Sequence, residues 1–296
     1  LHPVGPLVRR IAPGKNSRHR NEPIRAHPVK DADCTEFLQW ALPRLGMRWP
    51  GFRRVRGQVC KRLRRRMAEL GLRDLADYRA LLETHPEEWT RLDGLCRISI
   101  SRFYRDQGVW RTLERGILPN LIERARARGE DRLRIWSAGC ASGEEPYTLA
   151  LLFAFGAALR GCRPQILATD ADPRLLERAR RACYPESSLR DVPARWRTAF
   201  EHFGEEYCLG AEYRGPVRFV QQDVRQALPE GCFDLILCRN LVFTYFETAL
   251  QAAIARRLAE RLETGGMLLL GIHEALPESI PTLVQERSWL YRKSEG

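Results

Sequence analysis

The chain has 296 residues, of which 44% are hydrophobic and 29% are charged, a composition typical of a globular protein. That length accommodates one large domain or two modest ones. No stretch reaches the roughly 18 to 20 consecutive apolar residues that a membrane-spanning helix needs, so we expect no insertion into a membrane.

The net charge of +12 is confined to the first part of the chain. Residues 1–130 carry 28 Lys and Arg against 15 Asp and Glu, whereas residues 131–296 carry 21 against 22. A basic region attracts nucleic acid, anionic lipid or an acidic protein surface, and charge alone does not distinguish these partners. The unequal division predicts two domains that meet different partners.

The nine cysteines form no C-x-x-C pair and follow no spacing typical of a zinc site or a disulfide framework. The first twenty residues are polar and basic and lack the apolar core of a secretory signal. An odd number of cysteines without an export signal predicts reduced thiols and a cytoplasmic protein.

The first two segments of the chain differ in hydrophobic patterning. Residues 1–30 show no apolar periodicity and are predicted to be a disordered basic tail. In residues 31–130 apolar side chains recur every three or four positions, which predicts an N-terminal helical basic domain. We expect one helix to end at Gly71, one pair to break at Pro86, and a last pair to separate near Gly116 and Pro119.

The second predicted helix carries an uninterrupted set of positive charges. Within fourteen residues it contains Arg53, Arg54, Arg56, Lys61, Arg62, Arg64, Arg65 and Arg66, with no acidic residue among them. A merely solvated helix face, which is the alternative, normally mixes charges of both signs. The set therefore predicts a docking surface for an acidic partner. Aromatic residues are not interleaved with the arginines, which argues against nucleic acid as the partner.

After residue 131 strands and helices alternate. The strand segments are 133–138, 165–170, 217–224, 233–240 and 265–274. This alternation predicts a Rossmann-like α/β domain over residues 131–296, with a parallel sheet and a ligand site at the carboxyl ends of its strands. Residues 184–216 interrupt the alternation with several Pro and Gly residues and are predicted to form a small inserted β subdomain.

The ends of the first two strands provide candidate ligand contacts. The turn "SAGCASGEE" has Gly139 and Gly143 but no lysine, and Glu144 and Glu145 would repel a phosphate. Asp170 closes the second strand, where an acidic residue commonly accepts hydrogen bonds from ribose hydroxyls. S-adenosylmethionine fits this set, because it carries a sulfonium, an ammonium group and a ribose. The alternative for Glu144 alone is compensation of the helix dipole, and Glu145 has no assigned role.

Several motifs in one order resemble the CheR-type chemoreceptor glutamate methyltransferases. They are "RIWSAGCASGEEPYTLA", "LATDADPRLLERARRACYP", "FDLILCRNLVFTYF", "ISISRFYRD" and "GGMLLLGIHE", and the likeness covers roughly residues 35 to 290. The resemblance implies a class I methyltransferase fold with an all-helical N-terminal domain. It implies S-adenosylmethionine as cofactor and methyl transfer to glutamate carboxylates of a chemoreceptor.

The resemblance also implies roles for individual residues. The predicted cofactor contacts are Ser99, Ser101, Arg105, Ala138, Glu144, Asp170, Asp223, Val224, Arg239 and Asn240. Among these, Glu144 would contact the methionine part, Asp170 the ribose, and Asp223 the adenine. Arg105 and Tyr245 are the predicted catalytic residues, facing the acceptor carboxylate. No metal is expected, and the protein is expected to be a monomer.

Some positions depart from the family pattern. Ser99, Ser101 and Asp223 stand where Asn, Thr and Asn are usual, and Tyr245 comes one residue later than the commoner spacing. Three alternatives therefore stay open: a nucleic-acid methyltransferase, a non-catalytic module, and a methyltransferase for a protein other than a chemoreceptor. The residues after the fourth strand, Arg-Asn-Leu-Val, lack the Asn/Asp-Pro-Pro-aromatic pattern of base amino-group methylases.

Overall fold

The computed structural model describes residues 31–295. The predicted basic tail, residues 1–30, lies outside these residues. Among the residues described, no helix is both long enough and apolar enough to cross a membrane.

Five α-helices and one 3-10 turn, Leu42–Leu45, form the all-helical N-terminal domain, as predicted. The α-helices are α1 (Asp31–Ala41), α2 (Trp49–Phe52), α3 (Arg56–Leu70), α4 (Leu75–Thr84) and α5 (Pro86–Cys96). The end of α3 follows from Gly71, which adopts a left-handed conformation and donates its N–H to the carbonyls of the last turn. Asp74 starts α4 by accepting a hydrogen bond from the Asp77 N–H. Arg53 and Arg54 precede α3 instead of lying on it.

The next two helices, α6 (Gln107–Thr112) and α7 (Leu118–Ala127), do not separate as predicted. A π-helical turn, Leu113–Ile117, joins them into one continuous rod. Pro119 lies in the first turn of α7, where the wider preceding turn accommodates its ring and missing N–H. The expected break near Gly116 and Pro119 is therefore wrong.

The remainder of the chain alternates strands and helices. Its elements are β1 (Arg132–Ala138), α8 (Glu144–Phe155), β2 (Arg163–Asp170), α9 (Pro173–Arg181), β3 (Cys183–Pro185), α10 (Glu186–Leu189), β4 (Phe200–Phe203), β5 (Glu206–Leu209), β6 (Val217–Gln221), β7 (Phe233–Cys238), α11 (Val242–Tyr245), α12 (Thr248–Glu260), β8 (Leu262–Leu270), β9 (Leu283–Arg287) and β10 (Leu290–Lys293).

The main sheet has the order β6-β2-β1-β7-β8-β10-β9. Its first five strands are parallel, which confirms the five predicted strands and the Rossmann-like class. The antiparallel pair β9 and β10 was not predicted, because these strands are short and rich in charged residues. Strand order reverses between β1 and β7, so the connections that leave their carboxyl ends run in opposite directions and leave a crevice for a ligand.

The inserted segment forms a three-stranded antiparallel sheet in the order β3-β5-β4, which confirms its predicted β character. Cys183 and Cys208 lie directly opposite each other in this sheet and form a disulfide. A second disulfide joins Cys34 on α1 to Cys60 on α3. The expectation of reduced thiols is wrong for these four residues, because the pairs are brought together by cross-strand and helix–helix packing that sequence spacing does not reveal.

The main sheet buries both faces. Ile236 and Leu268 pack with the helical domain, whereas Leu235 and Leu269, one residue along each strand, pack with the other core cluster. That second cluster includes Leu121 of α7, so α6 and α7 pack against the sheet. The boundary predicted at residue 130 stays a prediction.

Candidate active site

A cavity of about 770 Å³, counting the part open to solvent, lies at the carboxyl ends of the parallel strands. Its walls come from both the sheet domain and the helical domain. The predicted site residues that line it are Ser99, Asp170, Asp223, Val224, Asn240 and Tyr245. Met47 and Phe52 of the helical domain, with Leu241 and Phe246, supply apolar surface. We call this cavity the cofactor pocket.

Asp170 is fixed at the end of β2 by two backbone groups. Its carboxylate accepts hydrogen bonds of 2.9 Å from the N–H groups of Ala141 and Asp172. Burial raises the pKa of Asp170 above its ordinary value, although both hydrogen bonds act in the opposite direction. Each carboxylate oxygen has a further lone pair, so this rigid group can also accept hydrogen bonds from a diol.

The glycines of the turn after β1 are required by packing. A Cβ on Gly143, whose φ is +93°, would lie 2.9 Å from the Cβ of Ala179. Gly139 has a φ of +75°, and a Cβ there would collide with the side chain of Leu241. The turn can therefore pass close to its neighbours only with glycine at both positions.

The two glutamates of the turn have different surroundings: Glu144 is buried, and Glu145 lines a pocket. Glu144 is only 1% exposed, accepts hydrogen bonds from the Ser142 hydroxyl, and lines neither of the pockets described here. Glu145 accepts a hydrogen bond of 2.8 Å from the Ser137 hydroxyl and lines the second pocket described below. Ala138, at the end of β1, is buried and also lies outside both linings.

Asp223 belongs to a four-charge network between the two domains. The Arg225 guanidinium donates to Asp223 at 2.6 Å and to Asp93 of α5 at 2.6 and 2.9 Å. Arg97 donates to Asp93 at 2.9 Å and lies 3.8 Å from Asp223. Burial alone would raise the pKa of both carboxyls, but the hydrogen bonds and positive charges of Arg225 and Arg97 together outweigh it and hold each pKa below its usual value. The network fixes the chain beside Val224 on the wall of the cofactor pocket.

We expect Asp93→Asn to lower the free energy of unfolding at pH 7 by about 3 kcal/mol, because it leaves the Arg225 guanidinium without its full counter-charge. Since the folded-state pKa of Asp93 is depressed, the stabilisation is complete above its ordinary pKa of 3.8 and is lost as the pH falls. Denaturant titrations at several pH values measure both effects. Asp77→Asn, in the exposed Arg73–Asp77 pair, is the control and should change stability much less; equal losses for the two variants would contradict the assignment.

A second pocket adjoins the first and shares Ser99, Gly139 and Asn240 with it. We call it the acceptor pocket. Its other residues include Ser101, Arg105, Trp110, Glu145 and Arg239. Arg105 donates to the Ile100 carbonyl at 2.9 Å, and its Nε lies 4.0 Å from the Asp106 carboxylate. Because a guanidinium has five N–H donors, Arg105 retains donors for a ligand.

Arg239 connects three parts of the site. Its guanidinium donates to Asp106 at 2.6 Å and to Glu145 at 3.1 Å, and it lies 5.3 Å from the Trp110 ring centroid. Its side chain is only 3% exposed. Arg239 thus compensates Glu145 and fixes the loop that carries Arg105.

Asn240 occupies a left-handed conformation, with a φ of +53°. Its N–H donates to the Glu274 carboxylate at 2.8 Å, and the Gly271 N–H donates to the same oxygen at 2.7 Å. Thr244 donates its hydroxyl to the other oxygen of Glu274. Glu274 is 6% exposed, so this buried carboxylate holds the loop after β7 in the shape that brings Asn240 into both pockets.

Tyr245 lines the cofactor pocket from α11. Its ring centroid lies 5.1 Å from that of Phe52, and within residues 31–295 its hydroxyl makes no hydrogen bond. Burial raises the pKa of Tyr245, and the nearby Arg105 guanidinium acts in the opposite direction. The phenol therefore stays protonated at neutral pH and can donate a hydrogen bond.

Sequence reasoning missed several residues that shape this site. Asp93, Asp106 and Arg225 act through other charged side chains, and nothing in their local sequence indicates it. Glu274 holds the Asn240 and Gly271 N–H groups and the Thr244 hydroxyl. Glu274 had the best signal, because it ends the quoted motif "GGMLLLGIHE".

The donor set fits S-adenosylmethionine. Asp170 offers a fixed acceptor for ribose hydroxyls, Val224 and Leu241 offer apolar surface for a base, and Glu145 offers negative charge near the turn. In the part of the chain that the structure describes, no group of His, Cys, Asp and Glu residues could hold a metal ion.

Comparison with known proteins agrees with this chemistry. Residues 99–289 match the family model described as CheR methyltransferase, SAM binding domain, and residues 55–92 match CheR methyltransferase, all-alpha domain. A chemotaxis protein methyltransferase of Listeria monocytogenes is 37% identical over 183 residues, covering 62% of this chain and 67% of the relative. One from Klebsiella aerogenes is 31% identical over 260 residues, covering 83% and 84%. The chain therefore belongs to the CheR family of methyltransferases, and its cofactor is S-adenosylmethionine.

Proposed function

We propose that the protein methylates glutamate side chains of a chemoreceptor, forming glutamate methyl esters. The observation that carries the proposal is the position of Arg105 in a pocket that adjoins the cofactor pocket and lies near Tyr245. A guanidinium and a phenol beside the site of methyl donation suit a carboxylate acceptor. The names of the chemotaxis relatives support the choice of receptor.

The cofactor half of the site would hold its ligand through three groups. Asp170 binds the ribose hydroxyls, Val224 packs against the adenine, and Glu145 attracts the positively charged methionine part. We thus propose Glu145, and no longer Glu144, as the contact of the methionine part, which would extend from the cofactor pocket to the adjoining acceptor pocket that Glu145 lines. Glu144 is buried and lines neither pocket. When bound, S-adenosylmethionine supplies an electrophilic methyl group on a sulfonium sulfur.

The acceptor half orients a nucleophile that needs no activation. A glutamate with an ordinary pKa of about 4.3 is already ionised at neutral pH, so no general base is required. Arg105 and Tyr245 would hold one carboxylate oxygen while the other forms the new bond to the methyl carbon. Both electrons of the carbon–sulfur bond leave with sulfur, and no proton moves. Alignment of this kind lowers a barrier by several kcal/mol.

Incubation with methyl-labelled cofactor and the cytoplasmic fragment of a chemoreceptor tests the proposal. We expect label in the receptor fragment that mild base releases as methanol, because carboxylate esters hydrolyse under those conditions. Base-stable label would indicate methylation of nitrogen or of another protein group, and label in added RNA would indicate a nucleic-acid substrate; either result would overturn the proposal.

We also propose that the exposed basic residues around the start of α3 bind the acidic surface of the receptor. Not all eight predicted charges can contribute, since Arg62 donates to the Leu95 carbonyl and Arg66 pairs with Glu88 at 2.7 Å. Arg56 pairs with Asp31, and Arg56, Arg62 and Arg66 are all only partly exposed. Exposure therefore reduces the docking surface to Arg53, Arg54, Lys61, Arg64 and Arg65, of which Arg65 also lies 3.8 Å from Glu69.

We expect reversal of three of these charges, in the variant Lys61→Glu, Arg64→Glu and Arg65→Glu, to raise KM for the receptor fragment about tenfold at low salt. The cofactor affinity should not change, and the salt dependence of KM should flatten. The control reverses three exposed arginines elsewhere, at Arg126, Arg256 and Arg287. An equal rise in KM for both triple variants would show that net charge alone matters.

A cytoplasmic site of action and a monomeric state belong to the same proposal. A cytoplasmic receptor domain is the acceptor it requires.

A further inference from the structure

The short helix α11 carries Tyr245 and depends on the helical domain for its position. With four residues, α11 cannot satisfy the carbonyl groups of its own last turn. Arg48, which directly precedes α2, satisfies them instead. Its Nη2 donates to the Phe243 carbonyl at 2.6 Å and its Nε to the Thr244 carbonyl at 3.3 Å. The backbone N–H of Arg48 donates to the Tyr245 carbonyl at 2.8 Å.

The contacts around Arg48 extend this connection on both sides. Met47 forms an antiparallel bridge with Phe246, and the Glu247 N–H donates to the Gly46 carbonyl at 2.9 Å. Residues 46–48, before α2, thus run antiparallel to residues 245–247 and are hydrogen-bonded to them. Met47 is 3% exposed and lines the cofactor pocket, so the connection lies at the wall of the site.

Gly51 shows how closely α2 approaches α11. A Cβ at Gly51 would collide with the Thr244 carbonyl oxygen and lie 3.2 Å from the Tyr245 Cα. Phe52, the next residue, packs its ring against that of Tyr245. Glycine at this position therefore allows the helical domain to contact the backbone of the tyrosine segment directly.

We propose that Arg48 is a positioning residue for methyl transfer, through which the helical domain fixes Tyr245 at the acceptor side of the active site. The inference rests on the proposed role of Tyr245 and adds a second task for the helical domain beyond docking. An arginine suits this task because its planar fork reaches two successive carbonyls at once, whereas a lysine offers one ammonium group. Positive charge at the C-terminal end of a helix also complements the helix dipole.

Hydrogen exchange tests the positioning without relying on activity. In Arg48→Ala we expect the amides of residues 242–247 to exchange roughly tenfold faster, since their local structure loses its partners from the helical domain. Peptides from β1 and α8 should exchange as in the unaltered chain. Unchanged exchange in residues 242–247 would overturn the proposal, whether or not the protein methylates receptors. Arg48→Lys, which keeps the charge, should give an intermediate rate and guards against a folding defect.

A double-mutant cycle tests the consequence for catalysis. We expect Arg48→Ala to lower kcat about 100-fold, because the Tyr245 hydroxyl is no longer held in place beside the acceptor. In a Tyr245→Phe background the same change should lower kcat by less than about threefold, since the group that Arg48 positions is already gone. Full loss in both backgrounds would show that Arg48 acts independently of Tyr245. If the unaltered chain transfers no methyl group to the receptor fragment, the proposed function fails while the exchange result still decides the role of Arg48.

Gly51→Ala provides an independent test, because it adds a steric clash between α2 and α11 where Arg48→Ala removes hydrogen bonds. The added methyl group should displace α11 and lower kcat in the same way as Arg48→Ala. The matched control is Gly57→Ala on α3, where a Cβ would meet no atom within 4 Å. Equal activities of the two alanine variants would contradict the proposal.

Discussion

Arg105→Ala is expected to lower the rate of methyl transfer about 1000-fold, because the acceptor carboxylate loses its cationic partner at the moment of alignment. Cofactor affinity should change by less than about threefold, since Arg105 lies in the acceptor pocket and is absent from the lining of the cofactor pocket. Steady-state kinetics with a receptor fragment and calorimetric titration with S-adenosylmethionine separate the two effects.

Two further variants make the Arg105 experiment specific. Arg105→Lys keeps the charge but loses the planar fork, so we expect activity between those of the alanine variant and the unaltered chain. Arg111→Ala removes an exposed arginine of α6 that donates to Gln107, and it should leave both measurements unchanged. Parallel losses of cofactor affinity and transfer rate in Arg105→Ala would show that Arg105 belongs to the cofactor site.

Asp170→Ala is expected to weaken cofactor binding about 100-fold, which corresponds to the loss of about 3 kcal/mol from two charge-assisted hydrogen bonds to the ribose. The same change removes the acceptor that fixes the Ala141 and Asp172 N–H groups, so the turn after β1 should loosen as well. Calorimetry measures the affinity, and the kcat at saturating cofactor should fall much less than the affinity.

The control for Asp170 lies at the opposite, amino-terminal end of the parallel strands. Asp131, which immediately precedes β1, is exposed and pairs with Arg163. Asp131→Ala should leave cofactor affinity unaltered. A loss of kcat in Asp170→Ala without a loss of affinity would contradict the ribose assignment.

Much of the fold was predictable because its elements have strong local signals. Gly71 and Pro86 bound helices as expected, and the five parallel strands are short apolar segments separated by helices, by the insertion or, between β6 and β7, by a loop. The sequence did not predict the last two strands, because they are short and rich in charged residues, which are uncommon in strands. It did not predict the π-helical turn, because a proline normally marks the end of a helix. The two disulfides depend on tertiary packing and have no sequence signature.

The site was predictable to the level of the strand ends, where Asp170, Asp223 and Asn240 indeed lie together in one pocket. Which of Glu144 and Glu145 faces the ligand depends on the rotation of α8 about its axis, and adjacent residues on a helix point about 100° apart. The supporting groups Glu274 and Arg48 come from distant parts of the chain. Their roles follow only from hydrogen bonds to backbone atoms of other segments, which a sequence pattern cannot show.

Peptide mapping by mass spectrometry after incubation with a receptor fragment shows directly whether the methyl group reaches a glutamate carboxylate. We expect a single methyl increment on glutamate side chains, absent in a fragment with those glutamates replaced by aspartate or alanine and absent with the Arg105→Ala enzyme. A methyl increment on lysine, arginine or glutamine of the fragment, or methylation of nucleic acid in place of the fragment, would contradict it.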